Sequence, residues 1–365
     1  MPVRLKDVAE RAGVSVKTVS NVVNGYVHVA ADTRARVQAV VEEMGYRPNV
    51  TARNLRSGRV GVIALAVPEL ENPYFAELAG HVMEAADEHG WTVLVDQTDG
   101  LAERERDVLA GFRHHLIDGL IMSPFALTAE ELGASADHTV PVVLLGEKVW
   151  DGPADHVAID NVEAARAATD HLLGLGRRSI ALVGHQPDGP GDSGVARLRR
   201  HGWELALRAA GLEPEEALVG EVEDFGREHG YAAISALLDR GGRPDAVLCF
   251  NDTLALGVLR ALADRGLEVP VDVAVIGIDD VEETRWSVPR LSSVAPDKRA
   301  IARTAVTMLA ERLGPDGRDP APRDVRAGFE VVARESTVGA AAAGHPHVPV
   351  SGARARRSAR PGTGR

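Results

Sequence analysis

Between residues 60 and 278 the sequence alternates apolar, β-prone runs with amphipathic stretches of helical period, and no other feature restricts the fold as strongly. The β-prone runs fall at 60–67, 93–96, 120–123, 142–145, 180–183, 246–249 and 273–278. The helical stretches fall at 76–89, 104–115, 164–173, 198–210, 230–238 and 255–265. This rhythm predicts parallel sheets covered by helices on both faces, because parallel neighbours need a crossover connection and a helix supplies it. The strands are too many for one modest sheet. We therefore expect an α/β body of two doubly wound, parallel-sheet lobes with a ligand cleft between them.

Ahead of this body the pattern is helical only. Leu5, Val8, Ala9 and Ala12, then Val19, Val22 and Val23, then Val37, Val40, Val41 and Met44 recur at the spacing of three short helices. Gly13 permits the tight turn between the first two, and Ser15 is placed to cap the second by accepting from the backbone NH of Thr18. Arg47-Pro48-Asn49 breaks the pattern, and residues 50–56 form a short helix-prone stretch that ends at Ser57-Gly58. The expected organisation is a small all-α head over 1–48, a hinge helix over 49–58, the two-lobed body over 59–339 and a disordered basic tail over 340–365. That tail is Ala, Gly, Pro and Arg with almost nothing to bury.

Charge is distributed to match. The net charge is −12 over 365 residues, yet residues 1–60 hold ten Lys/Arg against five Asp/Glu and residues 341–365 hold five Arg and no acid. Each end is therefore +5, and the segment between them is −22. A basic head on an acidic body suits a protein whose head alone approaches phosphate, since counterion release rewards local charge. One cysteine, Cys249, in an apolar run excludes an internal disulfide and fits a buried, reduced thiol. The N-terminus lacks the apolar stretch of a signal peptide, and no segment reaches the roughly 18 apolar residues of a membrane span. A cytoplasmic protein without a membrane partner is expected.

The segment from Lys6 to Gly25 meets the requirements of a helix-turn-helix: a supporting helix, a tight turn, and a second helix whose N-terminal side chains reach base edges while its apolar face packs. With Val19, Val22 and Val23 buried, Val16, Lys17 and Asn21 share the outward face, and Thr18 and Ser20 offer short hydroxyls suited to phosphate. This string, with Gly45-Tyr46-Arg47-Pro48-Asn49 and Ala52-Arg53-Asn54-Leu55-Arg56-Ser57-Gly58, resembles the lactose-repressor (LacI) family, and the similarity extends to about residue 335.

The resemblance implies a sequence-specific transcriptional regulator that binds a palindromic operator as a homodimer and uses a sugar or nucleobase effector. By it, Val16, Lys17 and Asn21 occupy base-reading positions. Ser15, Thr18, Ser20, Asn24, Tyr46, Asn49, Ala52 and Arg53 complete the implied DNA contacts, and Leu55 becomes a wedge that enters the minor groove and kinks the duplex. Two departures stand out. Asn21 replaces the Arg of many members, which shifts base preference from guanine toward adenine. Ala30 replaces the Ser that usually caps the third helix, a loss of about 1 kcal/mol partly offset by Asp32 near the helix dipole.

In the body, Asn72-Pro73-Tyr74-Phe75 follows the first strand and opens a helix, which places Tyr74 and Phe75 at the carboxyl edge of the sheet, where ligands bind and aromatic faces stack on sugar rings. The resemblance adds Arg199, by its spacing to Gly202-Trp203, together with Ser193, Phe225, Asn251 and Asp279. A fork-shaped Arg199 and an acceptor-only Asp279 can clamp adjacent hydroxyls from two sides, which favours a polyol or sugar. Asp160 and Asp280 read as loop caps, and Gly146-Glu147, where many relatives carry Asp followed by Arg or an aromatic, leaves the specificity there open.

Enzyme readings fail on context. Gly191-Asp192-Ser193-Gly194 matches the nucleophile loop of trypsin-like proteases but lacks their β-barrel pattern. No Walker-type or dinucleotide fingerprint appears, and the thirteen histidines show no metal spacing, so no cofactor is implied. A plain solute-binding protein would share the body but should carry a signal peptide and no basic helical head.

Overall fold

A computed structural model of the chain describes residues 3–23, 26, 28–46, 59–110, 116–134, 140–146, 152, 154–186, 194–314 and 321–341. The chain divides into two compact units: Met1–Val62 with Arg113–Asp118, and Ile63–Phe112 with Gly119–Arg365. The expected hinge helix and most of the expected tail lie outside the described residues.

Among its described residues the first unit carries three helices, α1 (Leu5–Ala12), α2 (Val16–Val23) and α3 (Ala31–Glu43). Gly13 stops α1 in the left-handed conformation at φ 64°, and its NH bonds back into the helix. Ser15 Oγ accepts from the backbone NH of Thr18 at 3.1 Å, as its spacing predicts. Val8, Ala9, Ala12, Val19, Val22, Val37, Val40 and Tyr46 form the core that holds the three helices together. Ala30 precedes α3 with no side-chain cap, so the expected cap loss is present.

The second unit is built on two six-stranded sheets. The first has the order β11-β5-β4-β3-β1-β2, from β1 (Val62–Val67), β2 (Thr92–Gln97), β3 (Gly119–Met122), β4 (Val142–Leu145), β5 (Asp155–Ala158) and β11 (Asp324–Arg326). The second has the order β12-β10-β9-β8-β6-β7, from β6 (Ile180–His185), β7 (Val219–Glu221), β8 (Ala246–Cys249), β9 (Ala274–Ile278), β10 (Ser292–Pro296) and β12 (Phe329–Val332). The run β11-β5-β4-β3-β1 and the run β10-β9-β8-β6-β7 are paired in parallel, and β10 with β12 is antiparallel. Helices α4 (Pro73–Asp87), α5 (Ala102–Ala110), α6 (Ala129–Ala134) and α11 (Lys298–Arg312) belong to the first lobe. Helices α7 (Asn161–Gly174), α8 (Val195–Ala209), α9 (Arg227–Asp239), α10 (Asp252–Asp264) and the short α12 (Glu335–Val338) belong to the second.

The chain crosses between lobes three times, after β5, after β10 and after β11. The crossings are stitched side by side: Ala327 N donates to Ala158 O at 2.8 Å, and Asp297 N donates to Gly328 O at 3.0 Å. Sequence periodicity missed β5, β7, β10, β11, β12, α6, α11 and α12. The reason is visible in β5, where Asp155 and His156 are buried because Arg312 and Arg323 ion-pair with Asp155, and Asp324 bonds His156. Polar residues that are satisfied across the fold hide the apolar signature of a strand.

Within the second lobe, helices pack so closely that glycine is required on their faces. A Cβ on Gly202 of α8 would fall on the carbonyl oxygen of Val162 in α7, and one on Gly257 of α10 would fall on that of Arg227 in α9. Beside Gly202, Trp203 is fully buried and its indole NH donates to Ile180 O at 3.2 Å. Truncating such a ring to Ala removes about 3–5 kcal/mol.

Candidate functional site

Two surfaces have functional geometry, one in each unit. On α2 the buried face is Val19 and Val22, and this leaves Val16 47% exposed and Lys17 exposed, with Ser20 and Asn21 half-buried beside them. An apolar side chain held in water at the N-terminus of a recognition helix, next to a cation, is an arrangement that gains from contact with a groove. Ser15 and Thr18 share a hydroxyl hydrogen bond at 2.8 Å. Tyr46, an expected DNA contact, is only 7% exposed and belongs to the core cluster of the head with Val8 and Val37. Its ring packs in that core. Asn24, Asn49, Ala52, Arg53 and Leu55 lie outside the described residues.

In the second unit a cavity of about 580 Å³ opens between the lobes, and most of its walls are the carboxyl ends of strands and the first turns of the helices that follow. This is where open α/β sheets bind ligands. The first-lobe wall begins with Asn72, which caps α4 by accepting from Tyr74 N at 3.1 Å, while Pro73 takes the first helical position. The cap fixes Tyr74 and Phe75 edge to face, with ring centres 5.2 Å apart, and both line the cavity.

A third aromatic, Phe125, was not foreseen. It sits on the loop after β3, and Glu105 of α5, fully buried, holds that loop: its carboxylate accepts from the backbone NH of Phe125 at 2.6 Å, of Ala126 at 3.1 Å and of Leu127 at 2.8 Å. Gly100, at φ 62°, lies where a Cβ would approach the Phe125 ring to 3.0 Å. The edge rule that located Tyr74 also points to Phe125, two residues beyond the expected end of the strand at 123.

From the second lobe, Arg199 projects from α8 to the cavity floor, 7% exposed. Its Nε donates to Asn161 Oδ1 at 2.6 Å, one Nη donates to the carbonyl of Phe250, and the other lies 4.0 Å from the Asp279 carboxylate. Phe225 and Asn251 also line the cavity. Asn251 is already bonded on both sides of its amide: Oδ1 caps α10 by accepting from Leu254 N at 2.8 Å, and Nδ2 donates to Phe225 O at 3.2 Å. It braces the wall as well as lining it. Ser193 lies outside the described residues.

Asp279 and Asp280 follow β9 with φ of 115° and 46°, conformations that L residues rarely adopt and that cost about 1–3 kcal/mol each. A buried ammonium holds them. Lys298, the first residue of α11, donates to Asp279 O at 2.7 Å and to Asp280 O at 3.1 Å. It also pairs with Glu77 Oε2 of α4 at 2.5 Å and lies 5.9 Å from the centre of the Tyr74 ring. The other oxygen of Glu77 accepts from Glu282 N at 2.8 Å, so one carboxylate and one ammonium join the two lobes beside the cavity. Beneath them Asp252 is fully buried, accepting from Ser293 Oγ at 2.6 Å and Val281 N at 3.0 Å. Burial, with Asp279 and Asp280 nearby, pushes its carboxyl well above the usual carboxylate range. Asp160 caps α7 and pairs with Arg326, as its reading as a loop cap requires, and Asp280 accepts from Thr284 and pairs with Arg334.

Residues 4–49 match the lacI family of bacterial regulatory proteins, and residues 169–337 match the periplasmic binding protein-like domain. The chain is similar to the HTH-type transcriptional regulator DegA of Bacillus subtilis (strain 168), with 34% identity over 298 residues that cover 81% of this chain and 87% of that one. It belongs to the LacI family of transcriptional regulators. The structure of a lac repressor dimer bound to operator and the anti-inducer ONPF is 30% identical, with a TM-score of 0.75, over 92% of this chain and 99% of that one. That of the regulator CelR in complex with cellobiose is 31% identical, with a TM-score of 0.67, over 92% and 99%. The regulator thus joins a helix-turn-helix to an effector-binding domain, and its relatives are regulators rather than enzymes. Among the described residues no helix is long and apolar enough to cross a membrane.

Proposed function

We propose that this LacI-family regulator acts as a repressor that binds a palindromic operator as a homodimer and changes its operator affinity when a sugar enters the interlobe cavity. The observation that carries the reading is a water-exposed Val16-Lys17 face on a capped recognition helix in the same chain as a cavity walled by three first-lobe aromatics, Arg199 and Asp279. Val16, Lys17 and Asn21 read base edges; Ser15, Thr18, Ser20 and Asn24 contact the adjacent backbone; Asn49, Ala52, Arg53 and Leu55 belong to a hinge that folds in the minor groove. Tyr74, Phe75, Phe225, Asn251, Arg199, Ser193 and Asp279 bind the effector.

One head spans too few base pairs for a unique site, which supports a two-fold dimer on a two-fold site. The lac repressor relative is a dimer on its operator. Trp286 and Val288, 67% and 94% exposed on one loop of the second lobe, offer apolar surface for self-association. Cellobiose in the CelR structure supports a saccharide as effector. Effector control is then a difference in ligand affinity between two lobe arrangements.

Selection of random DNA duplexes by the full-length protein tests the reading. The expected product is an inverted repeat whose binding shifts on adding a saccharide that raises the melting temperature. Enrichment of no symmetric sequence would remove the operator claim, and turnover of the saccharide by purified protein would favour an enzyme.

A further inference from the structure

We propose that the effector of this cleft carries no anionic group: the cavity selects an uncharged saccharide and rejects phosphorylated or carboxylated ones. This inference rests on the reading of the cavity as the effector site. Among the described residues the walls carry six carboxylates, Glu69, Glu71, Asp99, Glu223, Asp224 and Asp279, against one guanidinium, Arg199. The whole chain has 53 acids to 41 bases, so the excess is a property of the cleft and not of the composition.

The placement of these groups decides what they do. Glu69 and Glu71 lie on the loop between β1 and α4, and Glu223 and Asp224 on the loop between β7 and α9, one pair from each lobe. Among the described residues no cation lies within ion-pair distance of any of the four. They act on one another instead: burial and the charge of Asp224, reaching from the opposite lobe, push the Glu69 carboxyl up. Arg199 does not offset them, because it already serves Asn161, the Phe250 carbonyl and Asp279. An anion entering this space would meet like charge on both sides, in a cleft that concentrates the field and excludes water as the lobes approach. A neutral ring meets none of that repulsion and stacks on Tyr74, Phe75 and Phe125. Rejection here is built from a repulsive element placed beside an attractive one.

The test is isothermal titration of the full-length protein with glucose, ribose and cellobiose, each beside its phosphate ester, and with Glu69→Gln/Asp224→Asn. The expected result is that a sugar that binds does so at least about tenfold tighter than its ester. The gap should narrow in the double variant and in high salt. An ester that binds as tightly as its parent sugar overturns the inference while leaving the saccharide reading intact. A gap unchanged by both the double variant and salt also overturns it, since exclusion would then be steric. If neither sugars nor esters bind a protein that still binds its operator, the saccharide reading itself fails and this inference falls with it.

Discussion

Replacing Lys298 by Met keeps an unbranched apolar stem and removes the ammonium that joins Glu77 to the carbonyls of Asp279 and Asp280. Two effects follow, and they can be measured apart. Breaking a buried ion pair by deleting one partner destabilises by about 3–5 kcal/mol. Glu77 retains 28% exposure, so solvent screens part of the exposed charge and about 2–3 kcal/mol is expected here. Separately, each charge-assisted bond to the strained pair is worth about 1.5–3 kcal/mol. If one such bond holds Asp279 in its ligand-facing conformation, its loss lowers saccharide affinity by roughly tenfold to a hundredfold. Urea unfolding reads the first effect and isothermal titration with a saccharide that raises the melting temperature reads the second. The double variant Glu77→Gln/Lys298→Met leaves no buried carboxylate alone and should recover much of the stability, but none of the affinity. A Lys298→Met protein that loses stability yet binds the saccharide with unchanged Kd would refute the clamp on Asp279.

Three further outcomes are expected. Glu105→Gln, which cannot serve three amides at once, should weaken saccharide binding severalfold, and in a Phe125→Ala background it should have no further effect, because Glu105 acts through that loop. Leu55→Ala should lower operator affinity in gel shift while saccharide binding by the same protein stays unchanged; equal loss of both would end the wedge assignment. Asp155→Asn should cost about 3–5 kcal/mol in urea, since Arg312 and Arg323 lose their shared carboxylate. Its pH dependence has a definite sign: burial raises the Asp155 carboxyl, the bonds from Arg312 and Arg323 outweigh it, and the net value lies below the ordinary one. The stability it contributes is therefore present above the pKa of an unfolded Asp and lost as pH falls through the lower, folded value. Acid titration of the native protein should show that loss and the Asn variant should lack it.

The fold was legible to the extent that it is local. Caps, turns and helical period depend on residues a few positions apart, so α1 to α3, the Gly13 turn and the Ser15 cap could be read directly. Helix starts could not be read as well. Sequence periodicity opens helices at 76, 164, 198, 230 and 255, whereas they begin at Pro73, Asn161, Val195, Arg227 and Asp252. The first turn carries polar caps or small residues and faces the cleft, so apolar period starts one turn late at the end that forms the site.

The class of the chain is written in its order of residues: a basic helix-turn-helix ahead of a β/α alternation, with Tyr74 and Phe75 at the carboxyl edge of the first sheet. Packing of elements far apart in the chain settles which polar residues are buried and whom they serve. Glu77 and Lys298 are 221 positions apart and Asp155 and Arg323 are 168 apart, and neither pair has any local signal. The burial of Tyr46 in the core of the head was decided the same way. A charge is tolerated inside a protein only when a partner meets it there, and that partner is chosen by the packing of distant elements.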